Sequence, residues 1–409
     1  MNRLSDRHRG RIFGMRIRSL TAFEVPIRLK SPVRHASFTR HQNDTLIVRC
    51  ELADGTSGWG EGLPRTYVTG ESIDSVWRHL ESTDFAQLGD REFTDGFETI
   101  AILDELQLAE VAPDSGIVPR DCFGNSVRCA IELAVFDAIC RSQNVPVSSL
   151  FALVPEAANL LEATATVRYG GVVTSSGGLG QWRSGLKMKL FGFAAVKAKV
   201  GTRGIDDSQF LRRIRKVVGR GVDLRLDANE AWQCDEVVEK LNRLAEFSPS
   251  AVEQPVPHSE ITGLADVRRE VSVPFILDES LCSISDAEDA IRFGTCDLFN
   301  LRVSKCGGLI NCLRLACLAK QHELGYQLGC QVGETGILSA AGRQFACNIA
   351  GIRYLEGSYD RFLVKDRLTA KDLTFRYGGR AARLAGSGLG IEVDEAGVRR
   401  LSRRNLKLI

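Results

Sequence analysis

Apolar and polar positions change their period twice along this chain. From about residue 15 to 62 they alternate with the two-residue rhythm of β-strands. Residues 16–25 read as one strand. Residues 45–52 read as a second, which runs into Asp54-Gly55 and then Gly58-Trp59-Gly60-Glu61. That is a hairpin signal, because glycine supplies the positive φ of a tight turn. A polar, proline-containing stretch, 29–43, is expected to be a loop between the first two strands. A second loop, 62–70, follows the hairpin. Helical spacing then runs to about residue 150. It is clearest over 129–140, where Ile131, Leu133, Ala134, Ala138 and Ile139 are expected to pack inward.

From about residue 162 short apolar runs alternate with amphipathic segments. The expected strands are 163–168, 194–200, 223–227, 251–253, 275–278, 298–303, 327–331 and 353–355. Between them, 207–218 places Phe210, Leu211, Ile214, Val217 and Val218 on one helical face, and 236–247 does the same with Val237, Val238, Leu241, Leu244 and Ala245. Strand–helix units of this length require a parallel sheet with right-handed crossovers. Eight of them predict an α/β fold, a closed TIM-type barrel, whose function sits at the C-terminal ends of its strands. A Gly-rich turn and short strand, 385–394, is expected to return to the first domain. The expected organisation is a disordered leader at 1–14, an α+β capping domain at 15–150, a barrel at 151–375 and a returning segment at 376–409.

Composition adds exclusions. A chain of 409 residues suits a barrel plus a second domain. The net charge of +2 gives no general attraction to nucleic acid or membrane. Arg212-Arg213 and Arg215-Lys216 fall on an outer helix and read as solvated. The 12 cysteines lie mostly in apolar periodic segments without a CxxC pair, as in a cytoplasmic protein with reduced thiols. No apolar run reaches the length of a membrane span, and residues 1–14 lack the apolar core of a targeting signal. A small-molecule partner and a homo-oligomer are expected.

The chemistry collects at strand ends about 25 residues apart. These are Lys197-Ala198-Lys199, Asp227-Ala228-Asn229, Glu253-Gln254-Pro255, Asp278-Glu279 and Lys305-Cys306-Gly307-Gly308. Asp227, Glu253 and Asp278 end consecutive strands, which lie about 4.8 Å apart, so three acids can converge on one hard divalent cation. Oxygen-only donors favour Mg²⁺ or Mn²⁺ over zinc. Lys197 and Lys199 point to the same side of their strand. Two neighbouring ammonium groups lower each other's pKa, which suits Lys199 to act as a base. Lys305, about three strands on, is expected across the mouth as a second base. Glu334 is expected to face the mouth after strand seven. Glu279 and Asn229 are expected to support the ligands, and Arg65 and Tyr67 in loop 62–70 to meet the substrate.

Taken in order, Lys-x-Lys, Asp-x-Asn, Glu-Gln-Pro, Asp-Glu and Lys-x-Gly-Gly closely resemble the enolase superfamily, and most nearly its muconate lactonizing enzyme subgroup. Gly192-Phe193 and Gly388-Leu389-Gly390-Ile391-Glu392 extend the likeness over nearly the whole chain from Met15. The resemblance implies an α+β cap over a modified (β/α)₇β barrel and Mg²⁺ on Asp227, Glu253 and Asp278. It implies an isomerase that removes the proton α to a carboxylate, giving a metal-stabilised enolate. Lys199 and Lys305 stand at the acid/base positions and Lys197 at the helper position. Loops 29–43 and 62–70 would set specificity.

The chain departs from the family in two places. Where many relatives have Asn-x-Lys-x-x-Lys, it reads Asn300-Leu301-Arg302-Val303-Ser304-Lys305, and arginine cannot serve as a base. The Asp-x-Asp that usually binds the amino group of a dipeptide is replaced by Glu356-Gly357-Ser358-Tyr359-Asp360, which disfavours a dipeptide unless Glu356 or Asp360 substitutes. Racemisation, epimerisation and cycloisomerisation use the same residues. So does dehydration in the manner of an o-succinylbenzoate synthase, and a non-catalytic binding protein is the remote alternative. Fold alone does not separate them.

Overall fold

The computed structural model describes residues 15–34, 39–174 and 177–409, so the expected leader lies outside the described residues. The first domain is a four-stranded antiparallel sheet, ordered β14-β1-β2-β3. It is built from β1 (Ile17–Arg34), β2 (Thr39–Leu52), β3 (Ser57–Gly62) and β14 (Arg404–Lys407). Four helices complete it: α1 (Ile73–Ser82), α2 (Ala86–Gly89), α3 (Gly96–Asp104) and α4 (Asn125–Ser142).

The stretch 29–43 is mostly not the loop its polarity suggests. Residues 35–38 lie outside the described residues, and over 29–34 and 39–43 β1 and β2 continue as a ribbon, with Ile27 opposite Asn43 and Val33 opposite Arg40. Prolines fit because β14 pairs with β1 only at 21–24, leaving a free edge on that side at Pro26 and Pro32. The ribbon rests on the end of the barrel chain. Arg28 bonds Asp366 (3.0 Å from Nε), and Lys30 Nζ donates to Arg361 O at 2.6 Å.

Helix α4 lies against β3 at backbone contact. A Cβ on Gly58, Gly60 or Gly62 would fall 2.1 Å from Ala138 N, 1.9 Å from Ala130 O or 2.0 Å from Ser126 O. Two residues of strand advance about 6.6 Å and four of helix about 6.0 Å, so glycine at every second strand position tracks one helix face. No side-chain motion relieves a clash with backbone. Gly60→Ala is therefore expected to destabilise the protein by about 3 kcal/mol in urea unfolding. A cost under about 0.5 kcal/mol would mean that this contact is not close in solution.

The second domain is an eight-stranded parallel sheet in sequence order. After the short strand β4 (Thr166–Arg168) come β5 (Gly171–Val173), β6 (Ala195–Lys199), β7 (Asp223–Asp227) and β8 (Val252–Glu253). Then follow β9 (Phe275–Leu277), β10 (Leu298–Leu301), β11 (Gly325–Leu328) and β12 (Ile352–Leu355). The seven intervening helices are α5 (Leu179–Phe191), α6 (Asp207–Val218), α7 (Val237–Leu244), α8 (Leu264–Glu270), α9 (Ile284–Phe293), α10 (Leu309–Gln321) and α11 (Gly336–Ala346). Gly170 N donates to Leu355 O at 2.8 Å and joins the first strand to the last.

Two strand expectations shift. The run 163–168 is not the first barrel strand, because β4 pairs instead with β13 (Arg380–Ala382) outside the ring. Strand β10 stops at Leu301, not 303, because Cys306 N turns back onto Arg302 O at 2.9 Å.

The Gly-rich tail docks on α4. Leu389 N donates to Asp137 Oδ1 at 2.7 Å, and the same carboxylate accepts from Trp59 N at 3.0 Å. The strand that joins the first sheet is β14, beyond the 385–394 segment. All twelve cysteines are free thiols. Among the described residues no helix is long and apolar enough to cross a membrane.

Candidate active site

The parallel register sets the site. Lys199 pairs with Asp227 and Asp227 with Glu253 across β6, β7 and β8, so these side chains leave neighbouring strands at one level. Asp278 follows the end of β9. All three acids are buried, Asp227 at 1% exposure and the other two at 0%.

Cations stand between the acids. Lys197 Nζ lies 3.2 Å from Asp227 Oδ2, 3.1 Å from Glu253 Oε1 and 2.8 Å from Glu356 Oε1. Arg302 bonds Asp278 and stands 3.7 Å from Glu253 Oε1. The expectation that paired ammonium groups would lower each other's pKa does not hold for Lys197. Burial lowers it, but Glu253, Glu356 and Asp227 outweigh burial and hold it well above its ordinary value. Burial likewise pushes Glu253 up, and Lys197, Arg225 and Arg302 overcome it, leaving that carboxyl below its ordinary range.

Supporting groups fix each acid. Asn300 Nδ2 donates to Glu253 Oε1 at 3.0 Å and Gln327 Nε2 to Glu253 Oε2 at 3.1 Å. Arg225 bonds both Gln327 and Glu356. Sequence reading passed over Arg225, Asn300 and Gln327. Strand alternation was the available signal, since Arg225 lies two residues before Asp227, on the same face.

The donor chemistry fits a hard divalent cation. Three carboxylates end adjacent strands, and Asp227 Oδ2 is buried with the Lys197 and Lys199 ammonium groups at 3.2 and 3.8 Å as its ion-pair partners. As the side chains stand, no group of three or more His, Cys, Asp or Glu among the described residues is spaced to close on an ion. Lys197 and Arg302 hold the acids pairwise, and small rotations of the three side chains would be needed.

Lys199 differs from the other amines. Its side chain is 31% exposed, against 5% for Lys197 and 0% for Lys305. Its Nζ donates to Asn229 Oδ1 at 2.7 Å and lies 3.8 Å from Asp227 Oδ2. Asn229 Nδ2 in turn donates to Glu279 Oε1 at 3.2 Å. Glu279 is thus joined to the site through Asn229. Burial, then the charge of Asp278, pushes Glu279 up to about 8.

Lys305 does not face the mouth as expected. Its ammonium donates to Asp278 O at 2.7 Å, Asp278 Oδ1 at 3.0 Å and Asn300 O at 2.7 Å, which uses all three of its N–H groups. The turn after Leu301 carries it beneath Asp278 and leaves Arg302 at the strand end.

The cap closes over these loops. Leu63 N donates to Ser304 Oγ at 2.8 Å, and Asn125 Nδ2 to Lys305 O at 2.7 Å. Glu61 accepts from Thr335 N (2.8 Å), Thr335 Oγ1 (2.7 Å) and Leu338 N (2.9 Å) at the start of α11, and burial pushes it up to about 7.

Arg65 is spent on carbonyls, Pro64 O at 2.7 Å and Val332 O at 3.0 Å, so it ties loop 62–70 to the loop after β11. Tyr67 lies beside Arg40, whose Nη2 donates to its hydroxyl at 3.3 Å. Glu334 folds back on Gln331 N at 2.5 Å, and burial pushes it up to about 8. After β12, Glu356 is taken by Lys197 and Arg225. Asp360 accepts from Ser339 Oγ at 2.7 Å. Glu356 is therefore not presented to a substrate amine, whereas Asp360 Oδ2 is buried without a hydrogen-bond partner.

Known proteins resemble this chain in sequence and fold. The sequence profile described as "Enolase C-terminal domain-like" matches residues 185–397, and that described as "Mandelate racemase / muconate lactonizing enzyme, N-terminal domain" matches 17–152. A hydrophobic dipeptide epimerase from Enterococcus faecalis is 28% identical over 80% of this chain and 86% of its own. An N-succinyl-L-Arg/Lys racemase from Bacillus cereus is 25% identical over 79% of this chain and 81% of its own. A crystal structure of the B. cereus racemase matches with a TM-score of 0.83 at 23% identity, covering 96% of this chain and 99% of that one. A dipeptide epimerase from Cytophaga hutchinsonii, complexed with Mg and the dipeptide D-Ala-L-Val, matches with a TM-score of 0.81 at 22% identity, covering 96% and 100%.

Proposed function

The chain belongs to the mandelate racemase/muconate lactonizing enzyme family of the enolase superfamily and is an isomerase of that superfamily; from that premise we propose that Lys199 removes the proton α to the carboxylate of a small-molecule substrate. The observation that carries this reading is the exposure of Lys199 beside three buried strand-end acids. A magnesium ion, present in the C. hutchinsonii epimerase complex, would be held here by Asp227, Glu253 and Asp278 and would supply Lewis-acid charge to the developing enolate.

The chain's own residues then divide the work. Asn229 orients the Lys199 amine from 2.7 Å. Lys197 holds Asp227, Glu253 and Glu356 at fixed positions, so little reorganisation is needed as charge develops. Arg65 and Glu61 fasten the cap over the strand ends and exclude water. With Glu356 already taken by Lys197 and Arg225, a substrate acylated at its nitrogen, or without one, fits better than a free-amino dipeptide.

The test is deuterium wash-in at the α carbon. The Mg²⁺-loaded protein is incubated in D₂O with N-acyl amino acids, dipeptides and lactone carboxylates, and incorporation is read by mass spectrometry. Exchange is expected for at least one N-acyl or amine-free class. If no compound of any class exchanges, Lys199 is not an α-carbon base.

A further inference from the structure

The barrel places two different groups on opposite walls. β6 and β10 are four strands apart in a ring of eight, so Lys199 at the end of β6 faces the end of β10 across the mouth. The residue presented there is Arg302. Asn300, two positions earlier, and Arg302 both reach Glu253, so both point into the barrel.

Arg302 also bonds Asp278, yet its Nε is buried with no hydrogen-bond partner. A guanidinium has five N–H donors, so donors remain for an anionic ligand, and it does not deprotonate. Lys305 lies in the turn after β10. It is fully buried with every donor used, and Asn125 clamps its carbonyl from above.

We propose that Arg302 binds the substrate's negative charge opposite Lys199, so that the α proton is exchanged on the Lys199 face alone, while Lys305 is a positioning residue for Asp278. This rests on the reading that Lys199 is an α-carbon base. The α C–H bond breaks, the proton passes to Lys199 Nζ, and the bonding pair delocalises onto the carboxylate oxygens, toward which Arg302 directs its charge. Reprotonation on the same face restores the starting configuration, so net isomerisation comes from rearrangement of the enolate, as in a cycloisomerisation, and not from inversion at the α carbon. A substrate of the opposite configuration turns its α hydrogen toward Arg302, which cannot accept it. This enzyme therefore acts on one configuration of its substrate.

Two measurements test the proposal. In D₂O with Mg²⁺, the separate α-carbon configurations of N-succinyl-arginine, N-succinyl-lysine and alanyl-glutamate are compared. Exchange from one configuration is expected to exceed the other by about a thousandfold, the usual scale of a general base. Comparable rates from both overturn the proposal. Lys305→Met is expected to leave that ratio unchanged while weakening Mg²⁺ binding through Asp278, and a wider ratio, from loss of the residual exchange of the slower configuration, would make Lys305 the second base.

The other measurement needs no turnover. Oxalate, a planar dianion shaped like the enolate of a carboxylate, is titrated calorimetrically into the Mg²⁺-loaded protein. Arg302→Gln is expected to weaken oxalate about 10- to 100-fold, the effect of losing one charge-assisted hydrogen bond, and Arg302→Lys to weaken it less. Equal affinity in wild type and Arg302→Gln overturns the role of Arg302 and leaves Lys199 as the base. Absence of exchange from every probe overturns the reading of Lys199 as well.

Discussion

Replacing Asp227, Glu253 or Asp278 with its amide is expected to lower turnover by three decades or more, with a matching loss of Mg²⁺ affinity. Each amide removes one of three charges facing a divalent ion, and a single electrostatic contact at a reacting centre is worth about 10²–10³-fold. The loss compounds because each acid also holds its neighbours. Glu253 anchors Lys197, Arg225 and Arg302, so Glu253→Gln leaves buried cations less compensated. Asp278→Asn similarly deprives Arg302 and Lys305 of their shared partner. Calorimetric Mg²⁺ titration together with turnover checks the expectation, and circular dichroism establishes that the barrel is intact. Full activity in protein stripped with EDTA would show that these acids serve structure alone.

Lys199→Met is expected to remove about 10²–10⁴-fold of α-proton exchange, the contribution of a positioned general base, while leaving Mg²⁺ affinity nearly unchanged. The separation follows from geometry. Lys199 Nζ is 3.8 Å from the one acid it approaches, whereas Lys197 lies within 3.2 Å of three. The same change at Lys197 should therefore weaken both exchange and metal binding. Asn229→Ala gives a milder variant. The lysine keeps its amine but loses its 2.7 Å anchor, so exchange should fall without being lost. Exchange that persists at the wild-type rate in Lys199→Met would assign the base elsewhere.

The three acids were legible because the β/α unit has a nearly constant length. Asp227, Glu253 and Asp278 recur at that interval after apolar runs, and parallel pairing then puts strand ends side by side. Helix 207–218 was equally plain, since its apolar positions repeat at the helical period. The ribbon through 29–43 was not. Polar side chains and Pro32 read as a loop, and only pairing with β2 makes it a strand.

Which lysine stays accessible at the strand ends was decided by tertiary structure. Alternation predicts the face of a side chain only while the strand lasts, and β10 ends at Leu301. The turn closed by Cys306 N on Arg302 O reverses the chain, placing Arg302 at the mouth and Lys305 under Asp278. Likewise Glu356 reads as a spare acid in the sequence and is committed to Lys197 and Arg225 in the fold. Sequence by itself determined the barrel, seven of its eight strands in order and the acids at their ends, because these follow from local periodicity and repeat length. The fold alone decided which charges face one another and which remain accessible, because those depend on turns and on contacts between residues more than a hundred positions apart.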